Sequence, residues 1–218
     1  MAAERFLEQL GVTFEPLLVR KLIVVVSGLV YWAGVSIQAR RVRKQIGRSP
    51  NLKPRGTKEK LLWVGWLAVI AVWLGQPWLI GAHADGWVAV QLLAPLMKSA
   101  SLVLGAMLVA AGYAGTLWCY FAMGNTWRIG INRKEKTELV TAGPYRLVRH
   151  PIYLFQLLML LGAALLLPTI LSLVILALHL TCIQIKASDE EAYLLGVHGE
   201  QYRDYLARSG RLFPKVLR

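Results

Sequence analysis

The chain has 218 residues, 56% of them hydrophobic, with a formal net charge of +13 and a mean hydropathy of +0.48. An ordinary globular domain is about 45–50% apolar, and several apolar runs here reach the length of 18 or more residues that crosses about 30 Å of hydrocarbon. These values exclude a typical soluble enzyme and set the fold class as an all-α polytopic membrane bundle of about five transmembrane helices, followed by a cytoplasmic carboxyl-terminal helical segment.

Residues 1–15 pattern as a short amphipathic helix for a membrane surface, and their acids argue against a signal peptide. The first span is expected over Leu17–Gln38, with Arg20 and Lys21 at its start able to snorkel to the headgroups. A loop follows that holds nine basic residues and one acid, Glu59, between Arg40 and Lys60. A second span, Leu61–Ile80, is rich in tryptophan, and Trp78 and Trp87 suit an interfacial belt. The third, from Leu92 or Lys98 to Met123, places Gly105, Gly112 and Gly115 among alanines, a pattern that lets helices approach closely in lipid.

The polar stretch GNTWRIGINRKEKTELVTAGPYRLVRH comes next, and from Arg128 to Arg149 it holds six basic residues against Glu135 and Glu138. Two apolar segments, Pro151–Leu167 and Thr169–Ile185, flank Pro168, which reads as the turn of a helical hairpin. The remainder is charged and helix-prone to about Arg208, with Ser209-Gly210 as a stop. The whole is expected to be one membrane domain, 1–218, with spans and a basic loop over 1–120 and a functional core over 121–218.

Where the charge sits identifies its partners. Basic segments alternate with spans, as the positive-inside rule requires. This puts the amino terminus outside and the carboxyl terminus inside, and all three polar segments on the cytoplasmic face. Anionic lipid headgroups are the expected partners of the basic loops, and no nucleic-acid partner is expected. Cys119 and Cys182 lie within apolar runs, far from any Cys/His cluster with metal spacing, so no metal site is expected.

None of the phosphate-loop, dinucleotide, nucleophile-elbow or zinc-protease motifs occurs. Candidate chemistry is therefore confined to ionisable residues at the membrane border, where burying charge is costly. Pro144 and Pro151 turn their preceding residues away from helix, so His150 is expected in an extended turn at the mouth of a span. Any single arginine of Arg146 and Arg149 is accounted for as a membrane anchor. Lys186 and Glu190, four apart, suit an exposed ion pair, or an inward face that binds an anionic group beside a cationic or hydroxyl-bearing one. His179 in mid-span reads as a packing residue. Neither it, His83 nor His198 is assigned catalysis.

Over roughly residues 120–214 the chain resembles the isoprenylcysteine carboxyl methyltransferase and phospholipid methyltransferase superfamily of integral membrane enzymes. Met123-Gly124-Asn125-Thr126-Trp127 is similar to its L-G-x-x-W segment. Gly143-Pro144-Tyr145-Arg146 with Arg149-His150-Pro151-Ile152-Tyr153 matches its G-P-Y-R-x-x-R-H-P-x-Y signature. Glu190-Glu191-x-x-Leu194, Gly199-x-x-Tyr202 and Phe213-Pro214 complete the series. The resemblance implies S-adenosylmethionine as cofactor, in a cytoplasm-facing pocket to which Tyr145, Arg149, His150, Pro151, Tyr153, Glu190 and Glu191 contribute. Arg149, Lys186 and Glu190 are the expected catalytic set.

It also implies an amphiphilic or lipid methyl acceptor entering from the bilayer, with carboxyl O-methylation of a lipidated acceptor the first expectation. Phospholipid N-methylation, small-thiol S-methylation and a non-catalytic lipid-binding scaffold or transporter are the alternatives. One departure stands out: the position four before the glutamate pair is typically arginine in the isoprenylcysteine enzymes and is Lys186 here. Lysine offers a point charge where arginine grips a carboxylate with two parallel bonds.

Overall fold

The structure is a computed structural model that describes residues 16–47, 49–50, 54, 56–80, 87–127 and 138–215. The surface helix expected over 1–15 and residues 128–137 of the polar segment lie outside the described residues, as do parts of the basic loop.

Six helices make up the described fold: α1 Pro16–Ile46, α2 Gly56–Leu79, α3 Ser99–Met123, α4 Pro151–Leu166, α5 Ile170–His198 and α6 Glu200–Arg208. Four of them, α1, α2, α3 and α5, are long and apolar enough to cross a membrane. The fifth apolar segment, α4, has 16 residues. At 1.5 Å per residue it is about 24 Å long, short of the hydrocarbon thickness. The described residues form no strand, only two isolated bridges. The polytopic helical fold and the hairpin around Pro168 are as the sequence led one to expect.

The small residues of α3 set its distance from α4. A Cβ added at Gly162 would lie 2.6 Å from the Gly105 carbonyl oxygen. One at Gly112 would lie 2.6 Å from the Phe155 carbonyl, and one at Gly115 would enter the Phe155 ring. The two backbones are therefore in direct contact, as small-residue interfaces in lipid allow. Around this pair Tyr31 and Trp73, Val69, Val109, Met159 and Leu160 form the buried core.

Arg20 corrects the snorkelling expectation. It is 3% exposed, and its guanidinium donates to the carbonyls of Lys98 at 2.7 Å, Leu165 at 3.2 Å and Leu166 at 3.1 Å. The last two are orphan carbonyls at the end of α4, where a cation also meets the negative end of the helix dipole. Lys21 donates to the carbonyl of Ile80 in the same way, just past the end of α2. The sequence shows two cations at a membrane border. It does not show that neighbouring helices end where their carbonyls meet these two cations.

The hairpin turn is held by polar side chains. Thr169 caps α5, accepting from the Ser172 N–H at 3.0 Å. Buried Gln76 donates to Thr169 Oγ1 at 2.9 Å and Ser172 Oγ at 2.7 Å. α5 continues well beyond the expected Ile185, to His198. Its 29 residues are about 44 Å long, so its last turns carry Lys186, Glu190 and Glu191 past the apolar core. At Gly199, with φ +54°, the chain turns into α6. Trp78 and Trp87 are exposed, at 72% and 60%, in keeping with a place at the interface.

Candidate active site

Residues 143–150 are not a helix and not a free loop. Gly143–Arg146 form one 3-10 turn, and His150 stands at the N-cap of α4 with φ −125° and ψ 61°, neither helical nor fully extended, with Pro151 at the first helical position. The carboxyl-terminal segment pairs with this stretch through its backbone. The N–H groups of Arg149 and His150 donate to the carbonyls of Gly210 at 2.8 Å and Arg211 at 3.1 Å, and the Gly210 N–H returns to Leu147 at 3.3 Å. Tyr205, buried on α6, donates its hydroxyl to the Tyr145 carbonyl at 2.6 Å. Burial pushes that phenol up to about 12, so it stays a donor. Gly210 is required here by space: a Cβ would lie 1.6 Å from the Phe213 carbonyl oxygen.

Within this clamp the charges divide into two groups. Glu191 is enclosed: Arg149 Nε donates to it at 2.8 Å, and Arg211 Nε at 3.1 and 3.2 Å to its two oxygens. Arg149 also donates to the Ser209 carbonyl. Hydrogen bonding to Glu191 raises the Arg211 guanidinium above its ordinary value. Glu190 is the more open carboxylate. It accepts from the Tyr153 hydroxyl at 2.9 Å and lies 3.5 Å from His150 Nδ1. His150 Nε2 is 3.4 Å from Glu191 Oε1 but lacks hydrogen-bond geometry, so that attraction is Coulombic. Burial opposes the imidazolium, yet the two carboxylates outweigh it, and His150 titrates above its ordinary value. Its ring stacks on Tyr153, with centroids 5.5 Å apart.

These side chains face a cavity of about 500 Å³, within the range of small-molecule sites. Its wall includes Tyr145, Arg149, His150, Tyr153, Lys186 and Glu190, and the buried Trp127 of the first motif. Three motifs far apart in sequence therefore meet on one cavity. Pro151 and Glu191 are not part of its wall. Pro151 starts α4, and Glu191 holds Arg149 and Arg211 from behind. Arg146 is exposed and stands apart from the site.

Lys186 departs most from the bland expectation. It is 7% exposed, lines the cavity, and has no hydrogen bond or ion pair among the described residues. The exposed ion pair at this helix end is instead Lys58 with Asp189, at 2.6 Å. Lys186 and Glu190 thus both face inward without bonding each other, an arrangement that leaves a cation and a carboxylate for a ligand.

Residues that sequence reasoning left out complete the cavity. The first two spans contribute Tyr31, Trp32, Trp63, Trp66 and Trp73, and mid-span His179 reaches the wall from α5. The tryptophan-rich pattern of α2 was visible. That its indoles face a cavity was not, because they suit a lipid interface equally well. Among the described residues no group of three or more His, Cys, Asp or Glu could hold a metal ion.

Residues 100–201 match the phospholipid methyltransferase family, a family of membrane methyltransferases, which bears out the resemblance drawn from the motifs. Two relatives are similar over part of the chain. The "Nickel-cobalt-cadmium resistance protein NccN" of Alcaligenes xylosoxydans xylosoxydans is 29% identical over 154 residues, 69% of this chain and 63% of the relative. The "Cobalt-zinc-cadmium resistance protein CzcN" of Cupriavidus metallidurans is 29% identical over 115 residues, 53% of this chain and 50% of the relative. The matched stretches thus cover less than two thirds of either relative.

Proposed function

We propose that this chain, whose residues 100–201 match the phospholipid methyltransferase family, is a membrane-embedded methyltransferase that uses S-adenosylmethionine and acts on an amphiphile with an anionic head, a carboxylate before all. The observation that carries the reading is the convergence of Arg149, His150, Tyr153, Lys186 and Glu190 on one 500 Å³ cavity, with Lys186 and Glu190 unbonded to each other. The whole chain serves as one membrane domain, with the site open to the cytoplasmic side and the basic segments on anionic headgroups.

The cavity's donor set fits the cofactor. Glu190 keeps lone pairs for an ammonium, Arg149 and His150 present cationic groups to a carboxylate, and Trp127, Tyr145 and Tyr202 offer aromatic faces to an adenine and a sulfonium. When bound, the cofactor supplies an electrophilic methyl group on a positively charged sulfur.

The protein's residues then act by position and exclusion. Glu191, clasped by Arg149 and Arg211, fixes the His150 turn through the tail. Lys186 orients the acceptor's anionic head. The aromatic wall formed by α1 and α2 keeps water out, so an aligned pair reacts without solvent reorganisation. A carboxylate acceptor needs no base. An amine or thiol would give its proton to Glu190 Oε2, the oxygen that Tyr153 leaves free.

The test is binding of methyl-labelled S-adenosylmethionine to protein in lipid nanodiscs, followed by identification of the labelled product. Saturable binding weakened about tenfold or more by Glu190→Gln, with label released by mild base, is the expected result. Absence of binding by wild-type protein would end the proposal, and label in an amine headgroup would replace the carboxylate with a phospholipid amine.

A further inference from the structure

The polar end of the cavity is accounted for by the charged residues just described. Its apolar end holds groups they do not explain. His179 is 5% exposed, lines the cavity, and neither of its ring nitrogens has a hydrogen-bond partner among the described residues. The buried indole N–H groups of Trp32, Trp66 and Trp73, all in the same wall, also lack acceptors among the described residues. A buried tryptophan N–H ordinarily finds a partner, and each buried polar group left without one is destabilising. Several such groups around one open volume call for a common explanation.

Their register along α5 supplies it. His179, Lys186 and Glu190 are separated by seven and four residues, which returns each to nearly the same side of the helix. Lys186 and His179 are about 10 Å apart along the axis, at 1.5 Å per residue. One elongated molecule with its head at Lys186 therefore has its body beside His179. A plain alkyl or prenyl body would bury the imidazole and the indoles against hydrocarbon and satisfy none of them. Gly65 packs against Leu178 and Cys182, which sets Trp66 at the level of His179; a carbonyl or hydroxyl oxygen at that depth would accept from the Trp66 indole or the imidazole N–H, and a neutral imidazole has both a donor and an acceptor to offer.

We infer that His179, with Trp66, forms a second subsite that selects a lipid acceptor bearing a carbonyl or hydroxyl oxygen within its apolar body, about 10 Å from its anionic head. The inference rests on the proposed reading of the cavity as the acceptor site. His179 and the Trp66 indole set specificity and take no part in methyl transfer.

Two probes of equal length separate this subsite from a simple greasy channel: hexadecanoate and 9-oxohexadecanoate, whose keto oxygen matches the spacing of Lys186 and His179. Each is titrated against 9,10-dibromooctadecanoate, which quenches the cavity tryptophans, with protein in nanodiscs. Wild-type protein binds the oxo acid about tenfold more tightly, the worth of one to two buried hydrogen bonds. His179→Leu erases that preference and leaves hexadecanoate within about twofold. Trp66→Phe, which keeps the ring and removes the N–H, reduces the preference severalfold and serves should the histidine variant misfold.

Equal affinities in the wild type overturn the inference, as does a preference that survives both substitutions or a failure of both probes to displace the quencher. Methyl transfer measured in parallel tells the two readings apart. A binding preference without any transfer sinks the methyltransferase proposal and keeps the subsite. Transfer without the preference sinks the subsite alone.

Discussion

Lys186→Met is predicted to make the protein more stable and less able to bind its acceptor. Lys186 is 7% exposed and has no anionic partner among the described residues. An isolated ammonium taken out of water costs several kcal/mol even after the structure relaxes. The Glu190 carboxylate one turn away offsets part of that cost, so the lower part of that range applies, about 1–3 kcal/mol. Methionine keeps the length of the stem and removes the charge. For a chain of this size each kcal/mol moves the unfolding midpoint by about 2–4 °C, giving a rise of about 2–12 °C.

Unfolding can be followed with a thiol-reactive dye, because Cys119 and Cys182 are both free and buried. The same variant loses a charge-assisted hydrogen bond to an anionic head, worth about 1.5–3 kcal/mol, and so binds it about 10- to 150-fold more weakly. Lys186→Arg keeps the charge and most of the binding. A Lys186→Met protein that melts at a lower temperature, or that binds hexadecanoate as the wild type does, would refute the reasoning. It would mean that Lys186 is already satisfied within the fold.

Stability should also depend on pH through His150. Its folded value lies above its ordinary one because Glu190 and Glu191 favour the imidazolium in spite of burial. The stabilisation is complete below the unfolded value of about 6.5 and is lost as pH rises through the folded value. The midpoint should fall as pH is raised from about 6.5 through mildly alkaline values, and His150→Gln should flatten that slope; an unchanged slope in the variant would assign the effect elsewhere. Gly162→Ala puts a methyl 2.6 Å from the Gly105 carbonyl oxygen, while Gly75→Ala meets nothing within 4 Å. The first should destabilise by about 1–3 kcal/mol and the second not at all, and equal midpoints would show that α3 and α4 are less tightly packed than the glycines require.

Much of this protein is determined by its sequence alone, for reasons that lie in the solvent. Hydrocarbon accepts only apolar runs of sufficient length, so the helices and the hairpin at Pro168 follow from hydropathy and one proline. The glycines of the third span likewise imply close packing, since only they leave room for it. The motif residues Arg149, His150, Tyr153 and Glu190 could be named because their order and spacing match a family, and Pro144 and Pro151 show locally why His150 cannot lie within a helix.

The tertiary structure decided which charges are free. Arg20, Lys21, Lys186 and Arg149 look alike in sequence, each a cation at the end of an apolar run. The fold gives Arg20 and Lys21 the carbonyl ends of neighbouring helices and gives Arg149 the carboxylate of Glu191. It leaves Lys186 with no partner among the described residues, on a cavity. Partner choice depends on where other helices end, and that depends on lengths and crossings no local pattern records. The same holds for His179 and the tryptophans of the first two spans. Their side chains fit a lipid face, a packed core or a ligand wall equally well by composition, and only their convergence on a common volume makes them candidates for recognising a substrate.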